Sequence, residues 1–162
     1  MSKFIFFTNA IDQTVHLGEE IGKRLPCGTV VVLRGDIGAG KTCLARGLCI
    51  GAGMDDKALF SSPSFTIMNC YPSHGTPLYH CDLYRLKSSE DIEDIGFWDW
   101  INGEAIVVIE WPDLVLKELS ESYLLIEIAF GVGAEERWIS VESNTEPMVS
   151  LLKDIAYARV GD

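Results

Sequence analysis

The stretch VVLRGDIGAGKTCLARG, Val31 to Gly47, decides the reading of this chain. It opens on an apolar β-branched run, crosses a glycine-spaced loop and enters what reads as a helix. Gly35, Gly40, Lys41 and Thr42 fit G-x-x-x-x-G-K-[ST]. In that spacing the glycines let the backbone wrap closely and turn successive N–H groups inward. The helix start adds its dipole and free donors. Lys41 then serves as a point charge for the β and γ phosphates, and the Thr42 hydroxyl can ligate Mg²⁺. The backbone of Gly35, Asp36, Ile37, Gly38, Ala39, Gly40, Lys41, Thr42 and Cys43 is the expected phosphate cradle.

Working outward, the elements around the loop alternate. Thr8 to Leu25 reads as a helix with Leu17, Ile21 and Leu25 on one face and Thr8, Asn9 or Asp12 as cap candidates. Thr29 to Arg34 has the continuous apolar character of a buried parallel strand. Lys41 to Gly53 reads as a helix ended by glycines, with Leu44 and Leu48 inward. A turn at Ser61–Ser64 precedes a strand-like Phe65–Tyr71, and Pro72–Pro77 reads as a hairpin turn. Leu78 to Leu86 alternates, placing Leu78, His80, Asp82 and Tyr84 on one face and Tyr79, Cys81 and Leu83 on the other. Ser88 to Ile101 should be helical behind a capping box from Ser88 to Asp91. Glu104 to Trp111 is a second buried strand, Ser122–Gly131 and Arg137–Ser143 are two more, and Thr145 to Val160 is a closing helix with Leu151, Leu152 and Ile155 inward. The fold class expected is α/β, a small nucleotide-binding type of domain with a mixed, largely parallel central sheet flanked by helices, spanning 1–162 as one unit.

Bulk properties narrow the setting. At 162 residues, 48% of them hydrophobic, the chain suits a single core. No apolar run approaches the ~18 residues of a membrane span, and the N-terminus lacks a signal-peptide h-region, so a cytosolic protein is expected. Five cysteines without a C-x-x-C suggest neither a disulfide framework nor a zinc site. The net charge of −11 disfavours bare nucleic acid and anionic membranes, so a role on RNA would need a partner to hold the RNA.

Two acids stand out. Glu110 ends the apolar strand Ala105–Glu110, where a phosphate loop normally finds its metal-binding acid, more often Asp. Asp82 sits in a half-polar strand beside His80, Tyr84 and Arg85, where it could bridge metal-bound water, position an attacking water or simply serve structure. The stretch Ser61–Thr66 reads either as turn chemistry or as a segment that closes on the γ-phosphate, with Ser64 or Thr66 as donors.

Together, GDIGAGKT (Gly35–Thr42), SPSFT (Ser62–Thr66), HCDLYRL (His80–Leu86), EDIGFWDW (Glu93–Trp100) and VIEWPD (Val108–Asp113) resemble one family across essentially the whole chain. It is the TsaE or YjeE family, the ATPase subunit of the bacterial machinery for N6-threonylcarbamoyladenosine in tRNA. The resemblance implies a small P-loop fold and ATP with Mg²⁺, the metal held by Thr42 and Glu110 and the phosphates by Lys41. It implies that Asp82 is needed for hydrolysis, that Thr8 to Ile11 lies near the adenine and that Arg137 approaches the nucleotide. It implies a motor subunit that binds the threonylcarbamoyl-transfer pair TsaB and TsaD, meets tRNA only through them, and resets that pair with ATP. This sequence departs from the pattern at Cys43, where a second hydroxyl residue is common, and at Ser64, where Thr is usual. Hydrolysis alone should be slow, for lack of an obvious arginine finger, unless Arg85 or Arg137 supplies one. The alternatives are a small-molecule kinase of the same fold, disfavoured because Arg137 and Arg159 are the only arginines after Leu114, and a non-catalytic nucleotide-binding regulator.

Overall fold

The computed structural model describes all residues except 56, 102, 120, 121, 161 and 162, with backbone alone at 159 and 160. The side chain of Arg159 therefore lies outside the described residues. The strands are β1 Ser2–Thr8, β2 Val30–Arg34, β3 Met68–Tyr71, β4 Leu78–Asp82, β5 Ile106–Glu110, β6 Tyr123–Phe130 and β7 Arg137–Ser143. The helices are α1 Ile11–Gly22, α2 Lys41–Gly51, α3 Ser89–Asp94, α4 Phe97–Trp100 and α5 Glu146–Val160.

All seven strands form one sheet in the order β1-β7-β6-β2-β5-β4-β3. Its centre, β6-β2-β5-β4, is parallel, and both margins are antiparallel. The apolar runs read as buried parallel strands are β2 and β5, which lie side by side with Val30 opposite Val107 and Leu33 opposite Glu110. Alternation along β2 splits the core. Val31 and Leu33 face α1, α2 and α5, with Leu17, Ile21, Leu44, Leu48 and Leu152. Val30 and Val32 face the other layer, where Ile92, Phe97, Val115 and Leu119 cover them. That second layer stops short of the β1–β7 margin, where Ile5, Phe7 and Trp138 stay exposed.

Helices α1 and α2 meet backbone to backbone. A Cβ on Gly18 or Gly22 of α1 would lie 2.7 Å from Leu44 O or 2.2 Å from Leu48 O. One on Gly47 or Gly51 of α2 would lie 2.1 Å from Val15 O or 2.2 Å from Glu19 O. Only glycine fits this seam, which presses α1 directly onto the helix that follows the phosphate loop.

Four sequence expectations change. The N-terminal apolar patch is a strand: β1 pairs antiparallel with β7 from Ser2–Ser143 to Thr8–Arg137, so Thr8 ends a strand and does not begin a helix. α1 starts after Ala10 with no side-chain cap, while Gln13 Oε1 accepts the Asn9 N–H at 2.9 Å. The strand predicted from Phe65 begins only at Met68, because Ser64–Thr66 turns. The helix predicted over Ser88–Ile101 keeps its capping box at Ser88 and Asp91 but breaks at Gly96, whose φ of 67° separates α3 from α4. The five cysteines are free, and burial pushes the Cys49 thiol up to about 12.

Candidate functional site

β2, β4 and β5 bring Arg34, Asp82 and Glu110 to one end of the parallel sheet, the carboxyl end where open α/β sheets bind ligands. The loop from Gly35 turns there. Gly35 has a φ of +154°, and a Cβ on it would lie 2.6 Å from Ile128 O, so β6 admits only glycine at the loop entrance. Gly40 is the N-cap of α2 at φ 108°, with no side chain capping the helix. The first N–H groups of an α-helix have no partner within it. Those of the first turn of α2 therefore face the loop's concavity, as an anion cradle requires.

Lys41 is nearly buried, 5% exposed. Its Nζ donates to Gly35 O at 2.6 Å and Asp36 O at 2.9 Å and sits 4.1 Å from the centre of the Trp111 ring. Burial holds its pKa below the ordinary lysine range, against the pull of Glu110, Asp82 and Asp36. A desolvated ammonium paired with neutral carbonyls and a ring favours an incoming anion.

Thr42 and Glu110 touch. The Thr42 hydroxyl donates to Glu110 Oε1 at 3.0 Å, with Oε2 at 3.2 Å. Glu110 is 2% exposed, and His80 Nε2 lies 2.8 Å from its Oε1. Asp82 is the cross-strand neighbour of Glu110, and its Oδ1 accepts the Tyr84 N–H at 3.0 Å. Burial raises the Asp82 pKa; the Tyr84 N–H opposes this and Glu110 adds to it. Among the described residues no three His, Cys, Asp or Glu side chains converge as a metal cage. One hydroxyl and one carboxylate beside a phosphate cradle are the donor set that suits Mg²⁺, which keeps waters and takes its other ligands from phosphate.

These groups line a cavity of about 490 Å³. Ile37, Gly38, Gly40, Lys41, Thr42, Cys43, Asp82 and Glu110 line it, as do Ser62, Ser64 and Arg85. Ile11 lines a separate pocket of about 120 Å³ with Thr14, Gly38, Ala39, Cys43 and Arg137. Thr8 reaches neither: it is fully buried, its hydroxyl 2.8 Å from that of Thr14. Arg137 lies against the loop, donating from Nε to Ala39 O at 2.6 Å, from Nη1 to Ala134 O and Glu136 O, and from Nη2 to Gly38 O at 3.4 Å. The Arg85 guanidinium lies over the Phe65 ring at 4.1 Å.

Some participants escape a sequence reading. Tyr71 and Phe60 reach the site only through tertiary contact. One local signal does exist for Trp111: a bulky residue wedged between a strand-ending acid and a proline takes a φ of 56°. The other non-glycine residue with positive φ among those described is Ile67, whose carbonyl accepts the N–H of Asp82. Such conformations collect at functional sites.

A family described as "Threonylcarbamoyl adenosine biosynthesis protein TsaE" matches residues 8–138. A tRNA threonylcarbamoyladenosine biosynthesis protein TsaE from Treponema pallidum is 40% identical over 121 residues, 75% of this chain and 87% of that protein. The Bacillus subtilis protein of the same name is 36% identical, over 70% of this chain and 68% of its own length. The crystal structure of Bacillus subtilis YdiB superposes with a TM-score of 0.79 at 25% identity, covering 98% of this chain and 97% of that one.

Proposed function

The chain belongs to the TsaE family of threonylcarbamoyl adenosine biosynthesis proteins, and on that footing we propose that it is a Mg²⁺-dependent ATPase subunit whose turnover resets the TsaB–TsaD threonylcarbamoyl-transfer pair during tRNA modification. One observation carries the reading: the Thr42 hydroxyl and the Glu110 carboxylate meet at the wall of a cavity that also holds the α2 N-terminus and a desolvated Lys41.

In this reading the N–H groups from Gly38 to Thr42 hold the β and γ phosphates of ATP, with Lys41 between them. Thr42 and Glu110 would hold Mg²⁺, which would supply neutralisation of phosphate charge. Asp82 has Oδ1 fixed by the Tyr84 N–H, so Oδ2 is the oxygen that orients the attacking water. Its raised pKa makes it a stronger base than an ordinary aspartate. Water adds to the γ-phosphorus, the bond to the bridging oxygen breaks, and ADP and phosphate leave.

The arginines fit a slow basal rate. Arg137 spends its donors on backbone carbonyls, and Arg85 rests on Phe65, so neither is directed at a leaving group. The acidic surface suits a subunit that docks on a tRNA-binding assembly and leaves the tRNA to its partners. No helix among the described residues is long and apolar enough to cross a membrane, which fits a cytosolic setting. The test is ATP hydrolysis by the purified protein, alone and with the two partners and tRNA. Slow activity stimulated by the partners and lost in Glu110→Gln is expected; a rate indifferent to the partners refutes the motor role.

A further inference from the structure

The hydrolytic reading leaves the fully buried His80 without a task, yet its ring is the middle of a continuous polar chain. Nε2 faces Glu110 Oε1 at 2.8 Å. A carboxylate only accepts, so that nitrogen carries the hydrogen. Nδ1 lies 3.4 Å from the Tyr71 hydroxyl, which donates to Ser61 O at 2.9 Å and accepts from Asn69 Nδ2 at 3.3 Å. Tyr71 thus has one hydroxyl hydrogen and two acceptors within reach, the ring nitrogen and the Ser61 carbonyl. Asn69 extends the chain into the same loop: its amide donates to Ser61 O at 3.1 Å, and its Oδ1 accepts from Thr66 at 3.0 Å. Phe60 stacks on both rings, 5.2 Å from His80 and 5.1 Å from Tyr71.

The chain runs from Thr42 to a loop that is itself under strain. Ile67, a β-branched residue, closes the loop at a φ of 67°. Its N–H is held by Pro63 O at 2.7 Å, and its carbonyl accepts the N–H of Asp82 at 2.8 Å. Ser62 and Ser64 line the cavity, and Phe65 is 82% exposed.

We infer that His80 and Tyr71 are positioning residues that form a latch between the Glu110 carboxylate and the Ser61–Thr66 loop. With Glu110 engaged by Thr42 and His80, the Tyr71 hydrogen sits on Ser61 O and the loop is held. If Glu110 turned toward a cation beside Thr42, His80 would lose that partner, the Tyr71 hydroxyl hydrogen would turn to Nδ1, and Ser61 O would be left with the Asn69 amide alone. Loosening the loop therefore depends on the cation's hold on Glu110 exceeding the cost of leaving the buried His80 Nε2–H without its partner. The latch rests on the reading of Glu110 as a cation ligand.

The test is backbone hydrogen exchange on the full chain, without ligand and with Mg²⁺ and ATP, in wild type, Tyr71→Phe and Phe60→Leu. In the ligand-free Tyr71→Phe protein the amides of residues 61–67 should exchange about five- to tenfold faster than in wild type, the scale of one lost hydrogen bond. Mg²⁺ and ATP should speed exchange there in wild type and add nothing in Tyr71→Phe, while protecting the first turn of α2 in both. Phe60→Leu, which removes stacking and leaves the hydrogen bonds, should keep the ligand response. Protection of α2 with an unaltered loop response in Tyr71→Phe, or equal loss of that response in Phe60→Leu, overturns the latch alone. Absence of α2 protection in wild type overturns the nucleotide reading and the latch with it.

Discussion

Replacing Glu110 by alanine and by glutamine should separate what the residue does for the fold from what it does for metal-dependent turnover. Glu110 is buried and accepts from two donors, the Thr42 hydroxyl and His80 Nε2. Alanine strands both. Thr42 sits at the cavity wall, where water can replace the lost partner, but His80 is fully buried and cannot be rescued that way. An unsatisfied buried donor costs ~1–3 kcal/mol, so Glu110→Ala should lose about 2 kcal/mol. At this chain length that is a fall of roughly 4–8 °C in Tm. Glutamine has a way out. Its oxygen can take the place of Oε2, 3.2 Å from Thr42 Oγ1, and its NH₂ can donate to Nε2 if the ring moves its hydrogen to Nδ1. Nδ1–H then donates to Tyr71, whose hydroxyl still serves Ser61 O. Every group stays paired, and the loss should be under ~0.5 kcal/mol. Both variants should lose Mg²⁺-dependent hydrolysis. Urea unfolding of the three proteins decides: alanine and glutamine variants of equal stability, or an alanine variant as stable as wild type, would refute the buried network described here.

Asp82→Asn should abolish hydrolysis and stabilise the ligand-free fold at pH 7, because the buried site disfavours the charged carboxylate. An acid whose pKa is raised by folding gives stability that is present below its unfolded value of 3.8 and lost as pH rises through the folded value. The Asn variant should therefore lead at neutral pH and converge with wild type toward pH 4; a gap constant with pH in thermal melts would contradict this. Gly35→Ala should cost at least ~2 kcal/mol, because the new Cβ meets the backbone carbonyl of Ile128, which cannot rotate aside. A variant that unfolds at the wild-type urea midpoint would show that the loop leaves β2 by another path.

The centre of this fold is legible in the sequence because it is written locally. β2, the phosphate loop and α2 follow one another within Val30–Gly51, and β5 repeats the apolar run of β2. The alternation of β4 places Leu78, His80 and Asp82 on one face, as read, and stops before Tyr84, which lies past the strand end. β1 was not legible. Lys3, Ile5 and Phe7 lie outward and Phe4, Phe6 and Thr8 inward, so apolar residues fall on both parities and the period-2 signal is blurred. Its partner strand β7, paired from Ser2–Ser143 to Thr8–Arg137, is far away in sequence and leaves no local trace. The approach of Thr42 and Glu110 could be expected from the motif, whereas the ring of Tyr71 beside His80 depends on the β3–β4 register. Arg137 has no sharp motif around it; the structure sets it beside the loop, donating to Ala39 O, on the wall of the pocket it shares with Ile11.

The seam between α1 and α2 has a mechanical meaning. Side chains between two helices normally act as springs, absorbing a small shift by changing rotamer. Here Gly18, Gly22, Gly47 and Gly51 leave no springs, and carbonyls bear on bare backbone. The two helices therefore behave as a single beam. A tug on the phosphate end of α2 is delivered at its far end, about 16 Å away at 1.5 Å per residue, without being taken up in between.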